Sequence, residues 1–350
     1  MERYRVGIVG LTGIAAGGTA AGPIAAFGGV MPHSHAAAYA MLSECEVVAG
    51  CDLVPERCDE FRARWADTWP QVATYGDYRQ MLARERLDIL SVATSDHRHA
   101  DIVVDAVAAG VRGIFCEKPI ATSLADADRM IAAVEGAGVA MLVNHSRRWF
   151  PEFQQAREMI RSGELGPLTR IMACHGGPRA MLFRNGTHMI DTINFFAASE
   201  PLWVIAELDP GYEQYGLAYA GDGGRDPATD PGATAWIRYR NGVSALYCGS
   251  KRTAVPFEVD LLCERGRIRL SPGGAQMETP GPRGAPLVQR LSVPQYRYSD
   301  TVAAIRELIG MMQGGVAGQS PPRAARQALE IILAILRSQH LGNVRVDLPL

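Results

Sequence analysis

The chain has 350 residues, 47% apolar and 21% charged, which excludes a disordered, collagen-like or coiled-coil polymer and provides material for two domain cores. Thirty-five basic side chains against 37 acidic ones leave a formal net charge of −2, and nucleic-acid or polyanion binders need a clustered basic excess that this balance lacks. Seven cysteines, an odd total with no CxxC pair, predict reduced thiols in a cytoplasmic setting rather than a disulfide or metal framework.

From residue 6 to residue 43 there is no Asp, Glu, Lys or Arg, and Arg3 and Arg5 sit just upstream. In charge alone that suits a signal peptide or a membrane span. The stretch also holds eight glycines and two prolines, and each glycine costs a helix about 1 kcal/mol relative to Ala. It is therefore read as a strand, a glycine turn and an Ala-rich helix. No membrane association is expected.

Residues 4–9 form a short apolar strand that ends at Gly10. Residues 35–42 read as a helix of small residues, and 47–51 as the next strand, closed by Asp52. Helices follow over 55–65, where Pro55 suits a first turn, and over 77–86. A buried strand covers 88–93, a helix 100–109 ends at Gly110, and a strand covers 113–116. Residues 123–135 form a helix with Ser123 as N-cap and Asp126 in its first turn, followed by a strand over 139–143. This alternation predicts an α/β fold, a Rossmann-type doubly wound parallel sheet with helices on both faces.

After Asn144 the texture changes. Helices are predicted over 151–161, 189–198 and 323–337, and strands over 168–175, 203–208, 233–239, 244–249, 257–263 and 267–271. Asn241-Gly242 and Arg265-Gly266 fall where hairpin turns belong. Residues 211–232 and 272–286 read as Gly/Pro-rich loops. The expected division is a dinucleotide-binding domain over 1–146 and a mainly antiparallel α/β domain over 147–350.

A nucleotide site at the carboxyl ends of such a sheet needs a tight glycine turn, a helix start for the pyrophosphate and an acid after the second strand. Gly10-Leu11-Thr12-Gly13 supplies the turn without a full GxGxxG, since Thr12 stands at the second glycine position and Ala15 at the third. Asp52 ends the second strand, but much later than the usual separation of about 20 residues. The excess lies in residues 17–32, read as an insertion over or beside the phosphates. A carboxylate at Asp52 accepts from both ribose hydroxyls and repels a 2′-phosphate, favouring NAD over NADP; Arg57 nearby blurs that preference. A glycine turn in an ordinary αβ sheet, with Asp52 capping a loop, is the alternative.

Cys116-Glu117-Lys118-Pro119 closes the strand over 113–116. At a switch point of the sheet, Lys118 would stand beside a nicotinamide ring and lower the proton affinity of a substrate hydroxyl. Glu117 would accept from the ribose or orient the lysine. In isolation these residues also read as an exposed turn pair.

The surrounding motifs add a resemblance. Ser91-Val92-Ala93-Thr94-Ser95-Asp96-His97-Arg98-His99, then Ala109-Gly110, Cys116-Glu117-Lys118-Pro119, Arg147-Arg148-Trp149-Phe150-Pro151 and Gly186-Thr187-His188-Met189-Ile190-Asp191 occur in that order. In this the chain resembles the glucose–fructose oxidoreductase / inositol dehydrogenase (Gfo/Idh/MocA) family over most of its first 200 residues, and in texture beyond them. The resemblance implies a second domain with an open, mostly antiparallel sheet, used for homo-oligomer (dimer or tetramer) contacts. It implies NAD(P)-dependent hydride transfer to or from a secondary hydroxyl or ketone of a sugar, cyclitol or sugar-acid-like substrate. Lys118 would be the active-site lysine and His188 the proton donor and acceptor. Thr94, His99 and Glu117 would line the cofactor with Gly10, Thr12, Gly13 and Asp52, and Ser146 would lie near the nicotinamide. Arg148, Arg184 and Thr187 would face the substrate with Lys118 and His188.

The family commonly carries an Asp four residues before the histidine, where this chain has Arg184. Asp191, one helical turn after His188, is the carboxylate left to tune it. Arg184, if directed into the cleft, would bind a carboxylate or phosphate bidentately; a surface salt bridge is the other reading. His33, His35, His97, His99 and His175 show no zinc spacing, so no metal is expected. Trp149 and Phe150 read as interdomain packing, and Tyr212, Tyr215 and Tyr219 as loop residues that touch substrate or solvent. Two further functions stay open: an NAD-dependent lyase or glycosidase that recycles its hydride, and a non-catalytic nucleotide- or sugar-binding relative.

Overall fold

A parallel sheet buried on both faces demands strands that are apolar throughout. The computed structural model, which describes residues 3–17, 32, 34–219, 221, 226–292, 297–298 and 300–350, builds one from such segments. The insertion expected over 17–32, apart from its two end residues, and His33 lie outside the described residues. Strands β1 (Tyr4–Val9), β2 (Cys45–Cys51), β3 (Ala73–Tyr75), β4 (Ile89–Val92), β5 (Gly113–Cys116) and β6 (Ala140–Val143) pair in parallel in the order β3-β2-β1-β4-β5-β6. β4 and β5 are buried at every residue. Helices α1 (Gly13–Ala16), α2 (His35–Ala40), α3 (Pro55–Trp65), α4 (Tyr78–Arg84), α5 (His99–Ala108) and α6 (Leu124–Ala137) connect them. Ser123 caps α6 by accepting from the Asp126 N–H. β3 has no counterpart in the sequence reading: three half-buried edge residues make no apolar run.

The second half opens with α7 (Pro151–Ser162), β7 (Leu168–Gly176) and α8 (Thr187–Ala197). Strands β8 (Pro201–Leu208), β9 (Ala233–Tyr239), β10 (Ser244–Ser250), β11 (Glu258–Cys263), β12 (Gly266–Ser271), β13 (Gly274–Pro280) and β14 (Pro286–Arg290) follow. Helices α9 (Asp300–Met312) and α10 (Pro322–His340) and the short β15 (Val346–Asp347) complete the chain. The nine-stranded sheet runs β14-β13-β12-β11-β7-β10-β9-β8-β15. β7 and β10 are parallel, and the other described neighbours pair antiparallel. Residues 272–286, expected as a loop, instead supply β13 and the start of β14. Their glycines and prolines sit at the turns and edge-strand ends, where they cost little.

α9 returns to the first sheet. Ile305, Leu308 and Ile309 are fully buried in the same core as Ile8, Ile89, Phe115 and Leu142. Gly113 on β5 permits the approach, since a Cβ there would come within 2.5 Å of the Met312 sulfur. Trp149 Nε1 donates to Glu307 at 3.1 Å, tying α9 to the turn that joins the two halves. Leu308→Ala is expected to destabilise the protein by about 3 kcal/mol through the cavity left against β5 and β6, read as a lower urea midpoint at unchanged slope.

Candidate active site

The carboxyl ends of the parallel strands open onto a cleft with two adjoining lobes. The larger, of about 710 Å³, is lined by Gly10, Thr12, Asp52, Arg57 and Thr94 among others. The smaller, of about 420 Å³, is lined by Gly13, Lys118, Ser146, Arg184 and His188, with Asp300 and Thr301 brought in by α9. Thr12, Ile14, Glu117 and Arg184 belong to both lobes. Both volumes fall in the range of small-molecule sites.

The larger lobe has the parts a dinucleotide requires. Gly10 has φ +89°, and a Cβ there would lie 2.4 Å from the Ala93 carbonyl, so only glycine fits this turn. At Gly13 a Cβ would meet nothing within 4 Å, which leaves the backbone open to the cleft. Asp52 accepts from the Leu11 N–H at 2.8 Å and from the Val54 N–H at 3.0 Å, so the carboxylate braces the glycine turn while lining the lobe. Arg57 stands 3.6 Å away.

Where the lobes meet, two adjacent ionisable residues have opposite surroundings. Glu117 accepts from His35 Nε2 at 3.1 Å and from Asn144 Nδ2 at 2.7 Å. Burial raises its carboxyl, but His35, Lys118 and Asn144 outweigh that and hold it at about 2. Lys118 Nζ donates to the Arg184 carbonyl at 2.9 Å. Burial, with repulsion from Arg184 and Arg147, brings its ammonium down to about 7 despite Glu117.

His188 sits on the first turn of α8. Burial and the nearby Lys118, Arg147 and His145 depress its proton affinity well below the ordinary histidine value, so the ring is neutral at pH 7. Its buried Nδ1 has no hydrogen-bond partner among the described residues. Asp191 does not fill that place. Its oxygens accept from Arg148 Nε and Nη2, each at 2.8 Å, and His145 Nδ1 lies 3.4 Å off. Arg148 Nη1 donates to the Gln319 carbonyl at 2.6 Å, and His145 Nε2 meets Thr187 Oγ1 at 3.2 Å. Asp191, Arg148 and Thr187 thus form a buried frame behind the cleft. His99 is likewise fully buried, 3.0 Å from the Pro119 carbonyl and 3.4 Å from that of Thr94, beneath the surface that Thr94 and Glu117 present.

Three contributors had no motif. His35 and Asn144 fix Glu117. Asp230, fully buried and raised to about 7 by that burial, accepts from the Phe183 and Arg184 N–H groups at 3.1 Å each. It thereby holds the turn Leu182–Gly186, whose Arg184 carbonyl receives Lys118. Tyr219 is buried: it stacks on Phe183 with centroids 4.0 Å apart and donates to Asp96 at 2.8 Å. Among the described residues, no group of three or more His, Cys, Asp or Glu is placed to hold a metal, and no helix is long and apolar enough to cross a membrane.

A six-stranded Rossmann sheet with a glycine turn, a second-strand acid and a buried Glu-Lys pair at the cleft defines a protein of the dinucleotide-binding fold class. Residues 4–145 match the family model described as an oxidoreductase family with an NAD-binding Rossmann fold, and residues 153–269 match the GFO/IDH/MocA C-terminal domain. The chain belongs to the Gfo/Idh/MocA family. It is 37% identical over 138 residues to a D-apiose dehydrogenase of Paraburkholderia graminis, covering 39% of this chain and 36% of that protein. It is 32% identical over 135 residues to the inositol 2-dehydrogenase of Salmonella typhimurium, covering 38% of this chain and 39% of that protein. These matches therefore span little more than a third of either relative. An Agrobacterium radiobacter oxidoreductase, solved in complex with NAD+, L-tartaric acid and magnesium, shares the fold with a TM-score of 0.75 at 19% identity, over 99% of this chain and 98% of that one.

Asp191→Ala is expected to destabilise the fold by about 3–5 kcal/mol by leaving Arg148 buried and unpaired, measured by chemical denaturation. His145 and His175 are held near 4, mainly by burial, and His188 well below its usual value. Between pH 6.5 and 4 the unfolded chain therefore binds more protons than the folded one, so stability falls as pH falls through that window. A urea-midpoint series should show about two protons taken up on unfolding near pH 5, since Asp230, protonated in the folded chain there, releases one as the three histidines take theirs up.

Proposed function

We propose that this protein is an NAD-dependent oxidoreductase that interconverts a secondary alcohol and the corresponding ketone on a sugar, cyclitol or related polyol. The single observation that carries the reading is that Lys118 and His188 line one lobe, which joins the dinucleotide lobe at Glu117 and Thr12. Gly10, Thr12, Gly13, Asp52, Thr94 and Glu117 would hold the dinucleotide. When bound, NAD supplies the nicotinamide carbon that takes or returns the hydride.

The chain's own residues manage the proton and the charge. With Nδ1 buried, His188 offers Nε2 to the substrate; neutral at pH 7, it takes the hydroxyl proton during oxidation and returns it during reduction. The Lys118 ammonium donates to the developing oxyanion in a pocket sheltered from water, where such a bond is worth more than in bulk solvent. Its value of about 7 lets it exchange a proton near neutral pH. Ser146 and Asn144 add polar contacts at the same lobe. Asp191, Arg148, Thr187 and His99 act behind these groups, as a frame.

We also infer that the protein works in the cytoplasm as a homo-oligomer. The seven cysteines are free. Met172, Trp236 and Leu246 stand at matching register on β7, β9 and β10 and are each at least 44% exposed, which supports a second copy of the chain on this sheet face.

Lys118→Ala is expected to lower turnover by at least about a thousandfold while NADH affinity stays within a few-fold, measured by steady-state kinetics and calorimetry. Unchanged rates contradict the role given to the lysine. NADH should bind more tightly than NADPH because Asp52 repels a 2′-phosphate; equal affinities contradict that assignment. Leu246→Glu should halve or quarter the mass seen by light scattering, and an unchanged mass removes this face from the interface.

A further inference from the structure

The lobe that holds Lys118 and His188 also presents a guanidinium whose hydrogen-bonding capacity is only partly used among the described residues. Arg184 and Arg179 both line it. The Arg184 side chain is 19% exposed, and its buried Nε has no hydrogen-bond partner among the described residues. Among the described residues Asp96 is its ion-pair partner, with Oδ1 3.9 Å from Nη1, too far for a hydrogen bond, while Oδ2 accepts from Tyr219. Glu117 accepts from both His35 and Asn144 through its Oε1. Asp300 shares the lobe and lies in the field of Arg147, whose charge it supports.

Buried donors left without a hydrogen bond are costly, and fixed donors left open in a pocket mark where a ligand's acceptor belongs. The turn that carries Arg184 is also held in place: Asp230 anchors its backbone, and Lys118 bonds its carbonyl. A guanidinium fixed this way presents a planar fork that matches a carboxylate. Arg179 lines only this lobe and not the larger one, so the arginine donors extend away from the dinucleotide end.

We propose that the substrate is a polyol bearing a carboxylate, a sugar acid or its cyclitol analogue, whose carboxylate is bound by Arg184 with help from Arg179 while the reacting carbinol lies at Lys118 and His188. This names the substrate class within the oxidoreductase reading above and rests on it. The carboxylate of the substrate then accepts from the guanidinium donors that Asp96 is too far away to engage.

The test is calorimetry on the protein saturated with NADH, titrated with D-gluconate, D-galactonate and D-glucuronate and with their neutral counterparts D-glucitol, galactitol and D-glucose. At least one acid should bind about tenfold or more tightly than its neutral partner, the range of one charge-assisted hydrogen-bond pair. Arg184→Gln should erase that difference while the neutral partners keep their affinity within about threefold. Arg179→Gln, at an exposed position where folding is not at stake, should reduce it several-fold. Acids that bind no better than their neutral partners overturn the proposal and leave the oxidoreductase reading standing. So does an Arg184→Gln protein that loses NADH affinity instead, since the arginine then serves the nucleotide. Failure of the wild-type protein to bind NADH sinks the oxidoreductase reading and this inference with it.

Discussion

A lysine ammonium on the floor of a cleft must either find a counter-ion or give up proton affinity. Glu117, its neighbour in the chain, is the obvious counter-ion, but His35 and Asn144 take that carboxylate and hold it ionised. Lys118 is left facing Arg184 and Arg147 with one carbonyl hydrogen bond, and its ammonium falls to about 7. The reactivity assigned to the cleft depends on this imbalance. A lysine fully paired with Glu117 would be a structural salt bridge with nothing to offer a substrate.

The same imbalance has a thermodynamic side. Between about pH 7 and the unperturbed 10.5 the unfolded chain binds a proton that the folded chain has released. The cost of burying Lys118 is therefore full below pH 7 and eases as pH rises. The frame around the cleft bears that cost: the Arg148–Asp191 pair, the His99 brace, the Asp230 anchor and α9 packed under β5 and β6. Several of these come from far along the chain, so the site is rigid because both halves and the C-terminal segment converge on it.

How much of this was readable in advance follows from the range of each interaction. Parallel strands announce themselves as continuous apolar runs, and the end of β5 marks Glu117 and Lys118 without any tertiary knowledge. The partners of Glu117 carry no such mark, since His35 is 82 residues away and had no role beyond a rejected metal ligand. Asp191 is paired to Arg148 for a physical reason. Helical spacing turns it towards His188, but Arg148 from the preceding turn forms a bidentate pair that a single tuning contact cannot match. His99 lies in the right segment and points into the core. α9 has helical apolar spacing at Val302, Ile305 and Leu308, yet nothing local says that it returns to the first sheet. The Gly/Pro-rich stretch 272–286 misled because those residues mark strand ends as well as loops.

Only two lysines, Lys118 and Lys251, occur among the 350 residues, so the central claim can be tested on one resolved signal. In protein labelled at lysine side chains and free of ligand, the Lys118 resonance, assigned by loss of the signal in Lys118→Met, should titrate with a midpoint near 7. A Lys118 signal that remains that of an ammonium up to pH 9.5 would mean Glu117 or another acid neutralises it, and would contradict the account of the cleft given above.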